Sequence, residues 1–125
     1  MSENEISDVV IGCGIRVHRQ LGPGLLESIY EECLGYELDK SGLYFEQQKS
    51  VPVIYETIRL EAGFRLDFLV ERKVVVELKA VEFLNDVHLA QVMTYLRLTD
   101  CRLGLLMNFN VVLLKDGIRR VANKL

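Results

Sequence analysis

Val10, Cys13, Val17 and Leu21 recur at helical spacing, and Ser7 stands where an N-cap would open that helix. The run Leu21-Gly22-Pro23-Gly24 then breaks it, because glycine frees the backbone and proline is tolerated only in a helix's first turn. A second helix is expected from Leu25 to Ser41, with Gly42 as its stop. Its apolar stripe is built from Leu26, Ile29, Tyr30, Cys33, Leu34 and Leu38. Glu27 projects inside that stripe, between Leu34 and Leu38. Glu32 and Asp39 fall on the solvent side, and Glu31 lies at the margin with no role assigned.

Short β-rich segments follow at Tyr44–Gln48, Val51–Tyr55, Ile58–Leu60, Phe64–Val70 and Val74–Leu78. Pro52 marks its strand as an edge or a strand start, and Glu71-Arg72-Lys73 reads as a tight hairpin turn. Asn85 or Asp86 can cap a third helix that runs to about Leu98. Its core stripe is Leu89, Val92, Met93 and Leu96. His88, Gln91 and Tyr95 form an adjoining strip that together would line a cleft. Singly they read as a residue near a helix start, a surface amide and a half-buried aromatic. Two last strands are expected at Leu103–Met107 and Val111–Leu114, with a turn at Asp116-Gly117. The crossover helix makes the Val74–Leu78 and Leu103–Met107 strands a parallel pair. The result is a mixed sheet flanked by helices.

Residues two apart in a strand share a face. Phe64, Leu66, Phe68 and Val70 should therefore line one side of their strand and Asp67 the other, while Glu77 and Lys79 share a side of the next. Paired as a hairpin, the strands bring Asp67 and Glu77 to one sheet face with Lys79 beside them. Both strands are apolar on each face, as central strands are, and an acid there is costly unless it is paired or holds a metal. A strand-end ion pair between Glu77 and Lys79 is the plain alternative.

Composition narrows the setting. The chain has 125 residues, 50% hydrophobic and 26% charged, the length and balance of one soluble domain. Its start, MSENEISD, lacks the basic and apolar character of a signal peptide, and no apolar run approaches the roughly 18 residues of a membrane span. A cytoplasmic protein is expected. Cys13, Cys33 and Cys101 are too scattered for a disulfide framework or zinc ribbon and read as free thiols among apolar residues. The net charge of −3 gives no electrostatic reason for tight nonspecific binding to nucleic acid.

Two carboxylates on neighbouring strands suit Mg²⁺, which prefers oxygen ligands and keeps waters for substrate phosphates. A helical carboxylate can orient one such water, and a lysine two residues beyond a liganding glutamate can offset developing negative charge. These are the components of metal-assisted phosphodiester hydrolysis.

Gly24-Leu25-Leu26-Glu27-Ser28-Ile29-Tyr30 matches a GxxExxY signature, and Arg65-Leu66-Asp67, Val76-Glu77-Leu78-Lys79-Ala80 and His88-Leu89-Ala90-Gln91 follow in order. From about Val10 to about Val121 the chain resembles the GxxExxY protein family, a branch of the PD-(D/E)XK nuclease superfamily. The resemblance implies an α/β, restriction-endonuclease-like core with a mixed central β-sheet flanked by helices. It implies Asp67 and Glu77 as metal ligands, Lys79 as the catalytic lysine, Glu27 as the helical acid and Gln91 as a helical polar residue near the site. Tyr30 and Tyr95 would support the site or simply pack. Leu66 stands where the superfamily's usual proline would be. The implied activity is a Mg²⁺-dependent nuclease, with Mn²⁺ as a substitute, acting on DNA or RNA. Fold does not establish function, and the alternative is a non-catalytic nucleic-acid- or protein-binding module that keeps the core. A homodimer or a partner protein would then supply the missing basic surface.

Overall fold

The computed structural model describes residues 1–125. Helix α1 (Glu3–Leu21) starts one turn earlier than the sequence suggested. Its cap is Ser2, whose hydroxyl accepts the Glu5 N–H at 3.2 Å while Glu5 Oε1 accepts the Ser2 N–H at 2.9 Å. This reciprocal box satisfies two otherwise orphan donors, and it displaces Ser7 from the capping role expected of it. Ser7 is buried inside α1, where its hydroxyl accepts a hydrogen bond from Arg120 Nη1 at 2.9 Å.

Helix α2 (Glu27–Ser41) begins two residues later than expected and ends at Gly42, in the left-handed conformation glycine favours. Only part of its expected stripe is inside. Tyr30, Leu34 and Leu38 are buried, Cys33 is half-buried, and Leu26 and Ile29 are exposed. Spacing of four residues suffices to seat one helix face, so the positions on either side of that face remain in solvent.

The sheet has the order β1-β2-β3-β4-β5. The four segments expected at Tyr44–Gln48, Val51–Tyr55, Ile58–Leu60 and Phe64–Val70 fuse into two long strands, β1 (Phe45–Tyr55) and β2 (Ile58–Val70). Pro52 does not end its strand, because β1 is an edge and a register shift between Val51 and Val53 absorbs the missing donor. The turn into β3 (Val74–Lys79) holds Glu71 and Arg72 at φ near 53° and 55°, the hand that hairpin turns require. Helix α3 (Asp86–Thr99) crosses to β4 (Leu103–Asn108), and β3 and β4 run parallel as expected.

The last strand lies further along the chain than its apolar run suggests. Val111–Leu114 is a loop entering a 3-10 turn at Leu114–Gly117, and β5 is Ile118–Ala122, antiparallel to β4. Val112 is 85% exposed despite its apolar side chain. The turn lies so close under β4 that a Cβ at Gly117 would strike the Asn108 carbonyl oxygen. A bare backbone is needed there, and it leaves the chain no room to pair until Ile118.

Two cores cover the sheet. Ile6, Val10 and Cys13 of α1 and Tyr30, Leu34 and Leu38 of α2 pack with Val76, Leu78 and Leu105 on one face. Val92 and Leu96 of α3 pack with Val75 and Leu106 on the other. Strand β2 changes allegiance between them. Phe68 and Val70 belong to the first core, whereas Phe64 and Leu66 belong to the second. The expected two-residue alternation would have kept all four together. It fails at Asp67, where the neighbouring residue of β1, Gln48, sits at φ 50°.

Candidate metal centre

Strands β2 and β3 pair through Val70↔Val74, Leu69↔Val75 and Phe68↔Val76, and the next facing positions are Asp67 and Glu77. There the backbone ladder stops and side chains take its place. Glu77 Oε2 accepts the Asp67 N–H at 2.7 Å, and Asp67 Oδ2 accepts the Leu78 N–H at 2.8 Å. The strands fork, and two carboxylates fill the fork. Glu77 is only 5% exposed and Asp67 is half-buried.

Burial sets the electrostatics, since removing a carboxylate from water disfavours its charged form. Glu77 is pushed up to about 8 by burial first and then by the Asp67 charge, with the Asp67 N–H and Lys79 opposing. Asp67 is raised by burial and by Glu31, against the Leu78 N–H, Lys79 and Gln48. Glu27 is raised by burial and by Asp67, against Lys79. All three acids therefore lean towards protonation, which means the cluster is short of positive charge.

Lys79 does not remedy that shortage by contact. It opposes each of these shifts from a distance, yet it forms no ion pair and its ammonium makes no hydrogen bond. The plain alternative of a Glu77–Lys79 ion pair is not what the structure holds.

The loop before α2 explains how Glu27 arrives. Gly22 and Gly24 adopt φ of 71° and 99°, conformations open to glycine. The Tyr30 hydroxyl donates to the Gly22 carbonyl at 2.6 Å and accepts the Leu25 N–H at 3.0 Å, tying the loop to the helix. The Tyr30 ring is fully buried and stacks on Phe109, with centroids 4.7 Å apart. Glycine, glutamate and tyrosine thus form one local device: a turn, the acid in the first helical position, and the latch that holds them.

Two members of the cluster were missed in the sequence. Glu31 lies one turn beyond Glu27 and accepts from Gln47 Nε2 at 2.9 Å and Gln48 Nε2 at 2.8 Å. Gln48 Nε2 also donates to Asp67 Oδ1, at 3.4 Å. The signal for Glu31 was present: two acids at i and i+4 repel on a helix face and call for something cationic between them. Gln48 gave no signal, because an exposed-looking amide in a strand is unremarkable.

Helix α3 contributes unevenly. His88 completes a capping box, its Nδ1 accepting the Asn85 N–H at 3.1 Å while Asn85 Oδ1 accepts the His88 N–H at 3.0 Å. Gln91 is exposed and makes no hydrogen bond to the acids. Tyr95, one turn further on, stacks on Phe64 at 4.5 Å and is raised by burial and by the Glu77 and Asp67 charges. The structure thus sets Glu27, Asp67, Glu77 and Lys79 within electrostatic reach of one another, with Tyr95 at the margin.

No three carboxylate, imidazole or thiol groups converge as a ready-made metal cage. The donor set nonetheless suits Mg²⁺, which takes one or two carboxylates and retains several waters. Glu77 Oε1 carries no hydrogen bond, and Asp67 Oδ1 holds only the long one from Gln48. Residues 4–121 match a family model described as the PD-(D/E)XK nuclease superfamily. No curated protein and no solved structure matches the chain.

Proposed function

The chain belongs to the PD-(D/E)XK nuclease superfamily, and from that premise we propose that it is a divalent-metal-dependent nuclease of the GxxExxY branch. Its mixed sheet flanked by helices is consistent with a restriction-endonuclease-like fold. The observation that carries the reading is the carboxylate-filled fork, where Glu77 is pushed up to about 8 with no cation in contact. Buried acids that repel one another favour whatever brings positive charge.

In this reading Asp67 and Glu77 hold Mg²⁺, with Mn²⁺ as a substitute, through the oxygens left free by their backbone hydrogen bonds. The ion would supply Lewis-acid polarisation of a phosphoryl oxygen and a more acidic water. Lys79, unpaired and on the same side of β3 as Glu77, offsets negative charge that develops on the phosphoryl oxygens. Glu27 accepts a hydrogen bond from the water whose oxygen attacks phosphorus as the P–O bond to the leaving strand breaks. Gln91 serves as a polar contact at the rim. DNA or RNA is the substrate class.

A second reading keeps the fold as a protein- or nucleic-acid-binding module, alone or as a homodimer. Its protein-binding form is favoured by the net charge of −3, which does not attract nucleic acid, and by the far end of the β1–β2 hairpin, where Ile54, Tyr55, Ile58 and Leu60 are exposed.

Purified chain with Mg²⁺ or Mn²⁺, incubated with single-stranded, duplex and branched substrates, separates the two readings. Cleavage that disappears in Asp67→Ala and Glu77→Ala supports the nuclease. Metal binding that Asp67→Ala abolishes, with every substrate left intact, supports the binding module.

A further inference from the structure

Gln48 is the one neutral side chain that bridges two acids of the cluster, Glu31 of α2 and Asp67 of the fork. Its Nε2 donates to Glu31 Oε1 at 2.8 Å and to Asp67 Oδ1 at 3.4 Å. Glu31 is held on its other oxygen by Gln47, so it cannot easily turn away. The backbone of Gln48 is at φ 50°, a left-handed conformation that is uncommon for a side-chain-bearing residue inside a strand. Such strain persists only where the surroundings over-determine it. Here the left-handed residue stands directly beside Asp67, at the point where β2 exchanges one core for the other.

An amide nitrogen carries two hydrogens and a partial positive charge, so between two carboxylates it does part of what a cation would do. It does so weakly, because the bond to Asp67 is long. It also occupies Oδ1, the Asp67 oxygen that its backbone bond leaves free.

We propose that Gln48 is a resident surrogate for the cation of this site, holding Glu31 and Asp67 together until a divalent ion displaces its amide. This rests on the assignment of Asp67 and Glu77 as metal ligands. Gln48 is then a positioning residue with a sign opposite to the usual one. It competes with the ion for Asp67, so its removal tightens metal binding. Glu31 stays beside the bound ion as an additional negative charge, so neutralising it weakens binding.

The test is calorimetric titration of the full chain with Mn²⁺. Gln48→Ala keeps a side chain on the left-handed backbone and so reads the amide alone, and Gln48→Met does the same while retaining length and volume. Both variants should bind Mn²⁺ about tenfold more tightly than the natural chain, the scale of one weak hydrogen bond to a charged group. Glu31→Gln should bind more weakly by a similar factor. In the natural chain, titration with Mg²⁺ should move the Gln48 side-chain NH₂ resonances towards the position of a solvated amide. Natural chain that binds Mn²⁺, with Gln48→Ala and Gln48→Met equal or weaker, overturns the surrogate and leaves the metal site intact. Natural chain that binds no Mn²⁺ overturns the metal site, and the surrogate with it.

Discussion

Asp67 and Glu77 face each other one step beyond the last β2–β3 pair, and each carboxylate takes a backbone N–H from the opposite strand. The acids are therefore structural and chemical at once. Asp67→Asn keeps an oxygen to accept the Leu78 N–H, whereas Asp67→Ala leaves that donor without its partner. The asparagine variant should fold with near-natural stability and lose metal binding. The alanine variant should in addition lose about 1–3 kcal/mol, the cost of an unsatisfied buried donor. Urea denaturation of the two variants without metal checks the difference.

Glu77 links this geometry to pH. Its folded value lies at about 8, above its ordinary 4.5, so between those values the folded chain keeps a proton that the unfolded chain has released. Stability from this group is therefore full below about pH 4.5, falls as pH rises, and the loss is complete above about pH 8. The loss is on the order of a few kcal/mol. Glu77→Gln should flatten that part of the profile, so that the variant is the more stable of the two at alkaline pH without metal. Mg²⁺ should restore the natural chain increasingly as pH rises and leave Glu77→Gln unchanged. Denaturation midpoints across pH, with and without Mg²⁺, report both effects.

Lys79 has no ion-pair partner to lose. Lys79→Ala should accordingly fold and bind metal as the natural chain does, while cleavage falls by about 10²–10³-fold, the scale of removing one charge-stabilising group. A large drop in melting temperature would instead show that the acids depend on this lysine for folding.

Tyr30 tests the latch. Tyr30→Phe keeps the stack on Phe109 and removes the hydrogen bonds to Gly22 and Leu25. A loss of about 1–2 kcal/mol is expected, with faster amide exchange confined to the Gly22–Glu27 segment. Uniform acceleration across the sheet would mean that Tyr30 matters as core and not as a latch.

Much of this protein was legible along the chain. Helical spacing marked α1, α2 and α3, Gly42 and Asn85 marked a stop and a start, and the crossover helix made β3 and β4 parallel. Apolar residues on both faces of β3 made Glu77 conspicuous, because a charge among valines has few inexpensive explanations. These signals are local: they depend on residues within a turn or a strand of one another. The boundaries that failed depend on distant partners. Ser7 ceased to be a cap because Ser2 and Glu5 cap one turn earlier and Arg120 reaches back to it from β5. Val111–Leu114 lost its place in the sheet because the turn at Gly117 must pass beneath the Asn108 carbonyl.

The candidate site divides the same way. Pattern along the chain singled out Glu27, Asp67 and Glu77 as acids set among apolar positions, and left open whether Glu77 is buried or pairs with Lys79. That β2 and β3 fork at Asp67, that Lys79 stays out of contact, and that Glu31 and Gln48 join the cluster came from the packing of distant segments. The reason is that alternation holds only while a strand's backbone stays regular. At Asp67 and Gln48 two strands kink together, and no pattern within either strand records what the other is doing.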